Sequence, residues 1–191
     1  MPTRDDVHAE VRQALAAVED PELPVSIVDL GMVRGVTVSA GTALVELVPT
    51  FIACPALWLV ESEVKQSVTR VSAVDECEVV WLEGGWSGSD VTEAGRRALA
   101  GAGLAVPAGD GTVVCPFCGS HDPSETSPFG SAVCRTAAYC QACQTPFEVL
   151  KVKRAVGGGA QSPQADPPRA NGRTPSGVAE ARWRPGGGRV P

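Results

Sequence analysis

Two Cys-x-x-Cys pairs constrain this chain most: Cys115-Pro-Phe-Cys118-Gly-Ser and, after 21 intervening residues, Cys140-Gln-Ala-Cys143. Two residues between thiolates let both sulfurs of a tight turn face one ion, and two such turns complete a tetrahedral shell. The spacing predicts a structural zinc ribbon with Cys115, Cys118, Cys140 and Cys143 as ligands. A shell filled by four protein ligands leaves no place for substrate, so the remaining function has to be sought elsewhere in the chain. The competing explanation is a disulfide framework in a secreted chain. Against it, the opening Met1-Pro-Thr-Arg-Asp-Asp is polar, no apolar run reaches membrane-spanning length, and the cysteine count is seven, an odd number. These features lead us to expect a cytoplasmic, metal-binding protein.

Hydrophobic residues make up 43% of the chain, enough for a true core, but the 21 Gly and 16 Pro are unevenly spread. Residues 156–191 consist mostly of Gly, Pro, Arg, Ser and Ala with little to bury, which predicts a disordered tail over 154–191. From Lys151 onward eight Lys or Arg face only Asp166 and Glu180, a net of +6. With −6 for the whole chain, residues 1–150 carry −12. An acidic body is a poor nucleic-acid binder, and the basic tail reads as a solvated extension.

Val7, Val11, Leu15 and Val18 fall on one face of a helix spanning Asp5–Val18, with Thr3 placed to cap it. Asp20-Pro-Glu-Leu-Pro ends that helix, because its prolines remove backbone donors. Met32–Val38 and Ala43–Val48 alternate apolar and polar residues about Ser39-Ala-Gly-Thr, a β-hairpin whose inner face packs on the helix. Pro55 is a natural first residue for a second helix, with Leu57, Val60, Val64 and Val68 inward and Glu61 four residues before Lys65. Cys77–Leu82 reads as a further strand. The order helix, strand, strand, helix, strand predicts an α+β fold, a small two-layer sheet with helices on one face. Asp90-Val-Thr-Glu93 has capping-box spacing for a third helix through Arg96 and Leu99, stopped by Gly101 and Gly103. Leu104–Asp110 links to the ribbon, giving expected domains at 1–104 and 111–153.

Pro49-Thr-Phe-Ile-Ala-Cys54-Pro-Ala does not read as plain scaffolding. A thiol between a strand end and a helix N-terminus meets unpaired N–H groups and the positive helix end, which favours its thiolate and a reactive or metal-binding role. The alternative is a buried small hydrophobe, a common fate of free cysteine. Cys77, within an alternating strand, reads as core. For Cys134 three roles stay open: an alternative ligand to the ribbon metal, a second exchangeable metal ligand, or a buried thiol packing near Phe129 and Tyr139. His8 reads as solvated on the first helix and His121 as a loop residue after the first knuckle.

Asp20-Pro-Glu-Leu-Pro-Val-Ser-Ile-Val-Asp-Leu-Gly-Met-Val33 and Pro49-Thr-Phe-Ile-Ala-Cys-Pro-Ala56 together resemble the signature of the SufT-like family associated with iron–sulfur cluster assembly. Trp86, Thr92-Glu-Ala-Gly-Arg-Arg-Ala-Leu99, Cys115-Pro-Phe-Cys-Gly-Ser120, Ser127-Pro-Phe-Gly-Ser-Ala-Val-Cys-Arg135 and Cys140-Gln-Ala-Cys-Gln-Thr-Pro-Phe147 resemble one branch of it. That branch is the PaaD family of ring 1,2-phenylacetyl-CoA epoxidase systems, and the likeness covers roughly residues 5–153. The resemblance implies a helper rather than an oxygenase: an accessory factor of aerobic phenylacetate catabolism that assists iron or iron–sulfur cluster assembly of the oxygenase or reductase subunits, its partners. In agreement, the chain has no Glu-x-x-His pair on a helix for a di-iron site and no Gly-x-Gly-x-x-Gly turn for a dinucleotide. Carried over by position, the family's Asp-Pro-Glu falls on Asp20, Pro21 and Glu22 and its Cys-Pro-Ala on Cys54, Pro55 and Ala56. Cys54, Asp20 and Glu22 are thereby implied as a transient iron or iron–sulfur site, with zinc in the ribbon. Ala53 departs from the glycine common before this cysteine. Two other functions compete: a noncatalytic structural subunit of the oxygenase carrying only zinc, and a zinc-ribbon nucleic-acid binder.

Overall fold

The computed structural model describes residues 3–152, so the expectation for the basic tail lies outside the described residues. Helix α1 spans Arg4–Ala16. Thr3 caps it reciprocally: its hydroxyl accepts the Asp6 N–H (3.2 Å) while the Asp6 carboxylate accepts the Thr3 N–H (2.9 Å), satisfying donors the first turn leaves free. Val7, Val11 and Leu15 are buried along one face, as their spacing predicts.

Strands β1 (Val33–Ser39) and β2 (Thr42–Leu47) form the hairpin. Ala40 and Gly41 both take positive φ, 49° and 81°, the two-residue turn whose twist matches that of the flanking strands. Helix α2 (Leu57–Val68) then carries the chain across to β3 (Glu76–Trp81), which pairs parallel with β2. A parallel pair requires such a crossover. The three-stranded sheet has the order β1-β2-β3, and Ala43, Val45 and Leu47 of its central strand are fully buried with Val60, Val64 and Val68 of α2. The two helices are tied where Ser67 donates its hydroxyl to the Ala14 carbonyl (2.9 Å).

The connection between α1 and β1 is anchored in this core. Leu23, Val25, Ile27, Leu30 and Met32 are buried, and Asp20 N–H to Val25 O (3.0 Å) and Ile27 N–H to Val18 O (2.9 Å) close the chain on itself. Asp20-Pro-Glu-Leu-Pro is therefore a fixed loop held at both ends.

Helix α3 spans Glu93–Gly101, but its cap is Thr92, whose hydroxyl accepts the Gly95 N–H (3.0 Å). The Asp90 carboxylate instead serves the Ser87 N–H (2.7 Å) at the start of a short 3₁₀ turn, Gly88–Asp90, and pairs with Arg34 (2.8 Å). A nearby cation and a free N–H thus claimed the acid that spacing assigned to α3.

The second sheet has the order β4-β7-β6-β5, with β4 Leu104–Ala105, β5 Pro123–Ser127, β6 Arg135–Cys140 and β7 Thr145–Leu150. It has its own small core of Ala105, Cys115, Ala138, Cys140, Phe147 and Val149. The fold is α+β, with a cysteine-bearing ribbon following the first sheet, as the element order predicts.

Gly95 marks the tightest helix contact: a Cβ there would stand 2.7 Å from the Asp29 carbonyl oxygen, whereas one at Gly101 meets nothing within 4 Å. Gly95→Ala is expected to lower the midpoint of urea unfolding. Gly101→Ala should raise stability by up to about 1 kcal/mol through helix propensity alone.

Candidate metal centres

Two cysteine-bearing sites emerge. In the ribbon, Cys115 and Cys118 sit on a turn closed by the Gly119 N–H to the Cys115 carbonyl (3.0 Å), with Gly119 at φ 73°. Cys140 ends β6 and Cys143 precedes β7, with Gln144 left-handed (φ 55°) between Cys143 and the strand. The four sulfurs all lie within 4.8 Å of one another, with Cys115–Cys143 at 3.7 Å and Cys118–Cys140 at 3.6 Å. A tetrahedral ion with metal–sulfur bonds of about 2.3 Å needs edges of about 3.8 Å, so this cage fits such an ion, and the thiols are free rather than bridged. Their protons are unevenly held. A backbone N–H from Cys143 and the neighbouring thiols draw Cys140 down to about 7. Cys118 receives the Ser120 N–H, but sharing with Cys143, Cys140 and Cys115, together with desolvation, outweighs it and pushes this thiol up to about 12. Binding of a divalent ion to such a set of thiols displaces their protons and couples to folding.

The other site is built from the loop before α2 and the loop after α1. Cys54 lies half-buried, its N–H bonded to the Phe51 carbonyl (3.1 Å). Helix α2 starts at Leu57 rather than Pro55, with Ala56 as a cap that supplies no side-chain bond. Burial, rather than the helix start, corrects the expected thiolate. Burial pushes the Cys54 thiol up, the Ala56 N–H pulls it down, and the charges of Glu22 and Asp20 push it up again, for a net rise. The Cys54 thiolate is therefore disfavoured, with Glu22 and Asp20 near enough for their charges to be felt. Asp20 is also raised, by burial first, against the Glu22 N–H that its carboxylate accepts at 2.9 Å.

Cys134 is buried, as one of its three expected roles requires, and stands apart from the ribbon thiols. Its thiol donates to the Glu22 carboxylate at 3.6 Å. Phe129 is 77% exposed, under the Lys151 ammonium at 5.8 Å, so it is not the packing partner of Cys134. Next in line, Arg135 donates to the Glu22 backbone carbonyl (2.6 Å) and pairs with Glu148 (3.0 Å). Cys77 is buried in β3, His8 is half-buried on α1 and His121 is exposed. Local pattern did not reveal Glu22–Cys134, a contact 112 residues apart.

Beside Cys54, a cleft of about 540 Å³ is lined by residues 49–53, 84–86 and 151–152. Its far wall is held by Trp86, whose indole N–H donates to the Leu30 carbonyl (2.7 Å). Ile52 and Trp58 are 51% and 70% exposed on the same loop-and-helix segment. No described helix is long and apolar enough to cross a membrane.

Comparison with known proteins matches residues 8–81 to the iron–sulfur cluster assembly protein family and residues 102–151 to the PaaD zinc beta ribbon domain. The PaaD protein of Escherichia coli, named for the 1,2-phenylacetyl-CoA epoxidase, is 31% identical over 150 residues, 74% of this chain and 91% of that protein. The chain belongs to the PaaD family. Within it, Cys54, Asp20 and Glu22 fall in the assembly-protein segment, and all four ribbon thiols and Cys134 in the PaaD ribbon. An iron–sulfur cluster carrier protein of Mycobacterium bovis is 42% identical over 73 residues, 37% of this chain but only 18% of the carrier. A domain of unknown function from Bacillus anthracis, 32% identical, aligns with a TM-score of 0.48 over 50% of this chain and 93% of its own.

Because the unfolded chain ionises Asp20 near 3.8 and the folded chain only at higher pH, the group's contribution to stability falls as pH rises through that interval. Asp20→Asn, which keeps an oxygen for the Glu22 N–H, should therefore melt higher than wild type at neutral pH in protein whose ribbon metal is retained and to which no iron has been added. The gap should narrow as pH falls toward 3.8, as followed by thermal unfolding across pH.

Proposed function

We propose that this chain is a noncatalytic accessory factor of a phenylacetyl-CoA epoxidase system in aerobic phenylacetate catabolism, assisting delivery of iron or an iron–sulfur cluster to the oxygenase or reductase. The cargo is held transiently at Cys54 with Asp20 and Glu22. An incomplete shell of one thiolate and two carboxylates binds loosely enough to leave positions for the recipient's ligands. The ribbon at 111–153 holds zinc through Cys115, Cys118, Cys140 and Cys143 and docks the client, while residues 1–104 form the assembly domain. The protein works in the cytoplasm.

The observation that supports this most is the joining, in one chain, of an iron–sulfur assembly segment (8–81) to a PaaD ribbon (102–151), with Cys54 in the first near the acids of the Asp20-Pro-Glu22 loop. Cys54 fits the role physically. It is half-buried next to residues 49–53, which line a cleft, and its raised pKa suits a thiol that ligates only when a cation lowers it.

Reconstitution tests the proposal. Oxygenase and reductase matured together with this protein should carry full iron and activity; maturation with Cys54→Ser should leave them underloaded although the variant folds with normal zinc. Adding wild-type protein after maturation without it, and without an iron source, should not restore activity. Full restoration at that stage would mean a structural subunit, and full loading with Cys54→Ser would remove Cys54 from the transfer site.

A further inference from the structure

The cargo site proposed above draws on one segment of the chain, residues 20–54, yet a second thiol reaches it from the ribbon. Cys134 precedes β6, is buried, and directs its S–H at the carboxylate of Glu22, 3.6 Å away. Its backbone is tied to the same region: the Cys134 carbonyl accepts the Lys151 N–H (2.8 Å), and Lys151 and Val152 line the same cleft as residues 49–53, which lead to Cys54, whose charge is felt at Cys134. Arg135 holds the other partner, donating to the Glu22 carbonyl (2.6 Å). Two thiols and two carboxylates from three separate chain segments are thus gathered about the end of the 20–25 loop.

We propose that Cys134 is a second thiolate ligand of the cargo site, so that Cys54, Cys134, Glu22 and Asp20 together bind a thiophilic metal ion such as ferrous iron across the junction of the assembly domain and the ribbon. This rests on the cargo-site assignment of Cys54 and extends it. The charges around the group suit a cation. Burial comes first in raising Asp20, Cys54 and Cys134, and the acids add to it at both thiols. The basic groups nearby are engaged: Arg135 with Glu148 and Ser131, Lys151 with the Val133 carbonyl and the Phe129 ring. A divalent ion binding there replaces the two thiol protons, which pass to solvent, with no change of oxidation state. Among the described residues only the ribbon thiols all lie within 4.8 Å of one another, so the cargo donors stand wider apart and close on the ion as it enters. A site that opens and closes suits an ion that must leave. It also couples the two centres, because the ribbon metal holds the strand that presents Cys134.

The test uses the full chain, anaerobic and reduced, retaining one tightly held zinc, titrated with ferrous iron alone and followed by thiolate-to-iron charge-transfer absorption. Cys134→Ser should keep zinc and melting temperature, weaken iron binding by about tenfold or more, and lose about half of the absorption, one of two thiolates being gone. Wild-type affinity and absorption in Cys134→Ser, with loss in Cys54→Ser, would overturn the composite site and leave Cys54 as the cargo ligand. Wild-type behaviour in both variants would remove both assignments. Should Cys134→Ser lose zinc or unfold, alkylation of wild-type protein decides. Iron should protect Cys54 and Cys134 alike, and labelling of Cys134 at its metal-free rate in iron-loaded protein would overturn the proposal.

Discussion

Arg135 ties the two sheets by polar contacts, beside Leu104 and Leu150 of the second sheet, which are buried in the core of the first. One guanidinium nitrogen donates to the carbonyl of Glu22 in the assembly domain, and another pairs with Glu148 in the ribbon. An arginine can do this because its planar fork presents several donors at fixed angles, where a lysine offers a point charge. The bond is made to backbone, so it fixes the loop itself and leaves the Glu22 carboxylate turned toward Cys134. Its Nε is buried without a hydrogen-bond partner, a cost accepted so that the other nitrogens can span the junction.

The ribbon site and the proposed cargo site differ because their surroundings do. The ribbon thiols come from two tight turns, converge to the edge length of a tetrahedral thiolate shell, and fill every position on an ion. Such a shell holds its metal and contributes to folding. The thiols and acids around Glu22 come from loops and mix sulfur with oxygen, and residues 49–53, next to Cys54 in the chain, line a cleft flanked by exposed apolar side chains. The first arrangement builds structure; the second is open to exchange. The family match joins an iron–sulfur cluster assembly segment and a PaaD ribbon in one chain, and the proposed division of labour rests on the difference between the two sites.

Features set by local chemistry were legible in the sequence. The Thr3 cap, the α1 and α2 apolar faces, the Ala40-Gly41 hairpin and the paired cysteines each depend on residues a few positions apart, and each formed. Where a distant group competed, local pattern failed. Asp90 left the α3 cap for Ser87 and Arg34, and at Cys54 burial, with the charges of Glu22 and Asp20, outweighed the Ala56 N–H that was expected to favour the thiolate. The anchoring of the 20–25 loop was partly readable, since Leu23, Val25 and Ile27 alternate. Its contact with Cys134 was not, because no periodicity links residues 112 apart.

The central claim is that the chain holds an exchangeable metal away from its ribbon, on thiolates and carboxylates at the junction of its two sheets. X-ray absorption at the iron and zinc edges of one anaerobically loaded sample measures this directly. The account predicts zinc with four sulfur neighbours and iron with a mixed shell of two sulfurs and oxygens. Iron surrounded by oxygen alone, or iron in an all-sulfur shell with zinc displaced, would contradict it.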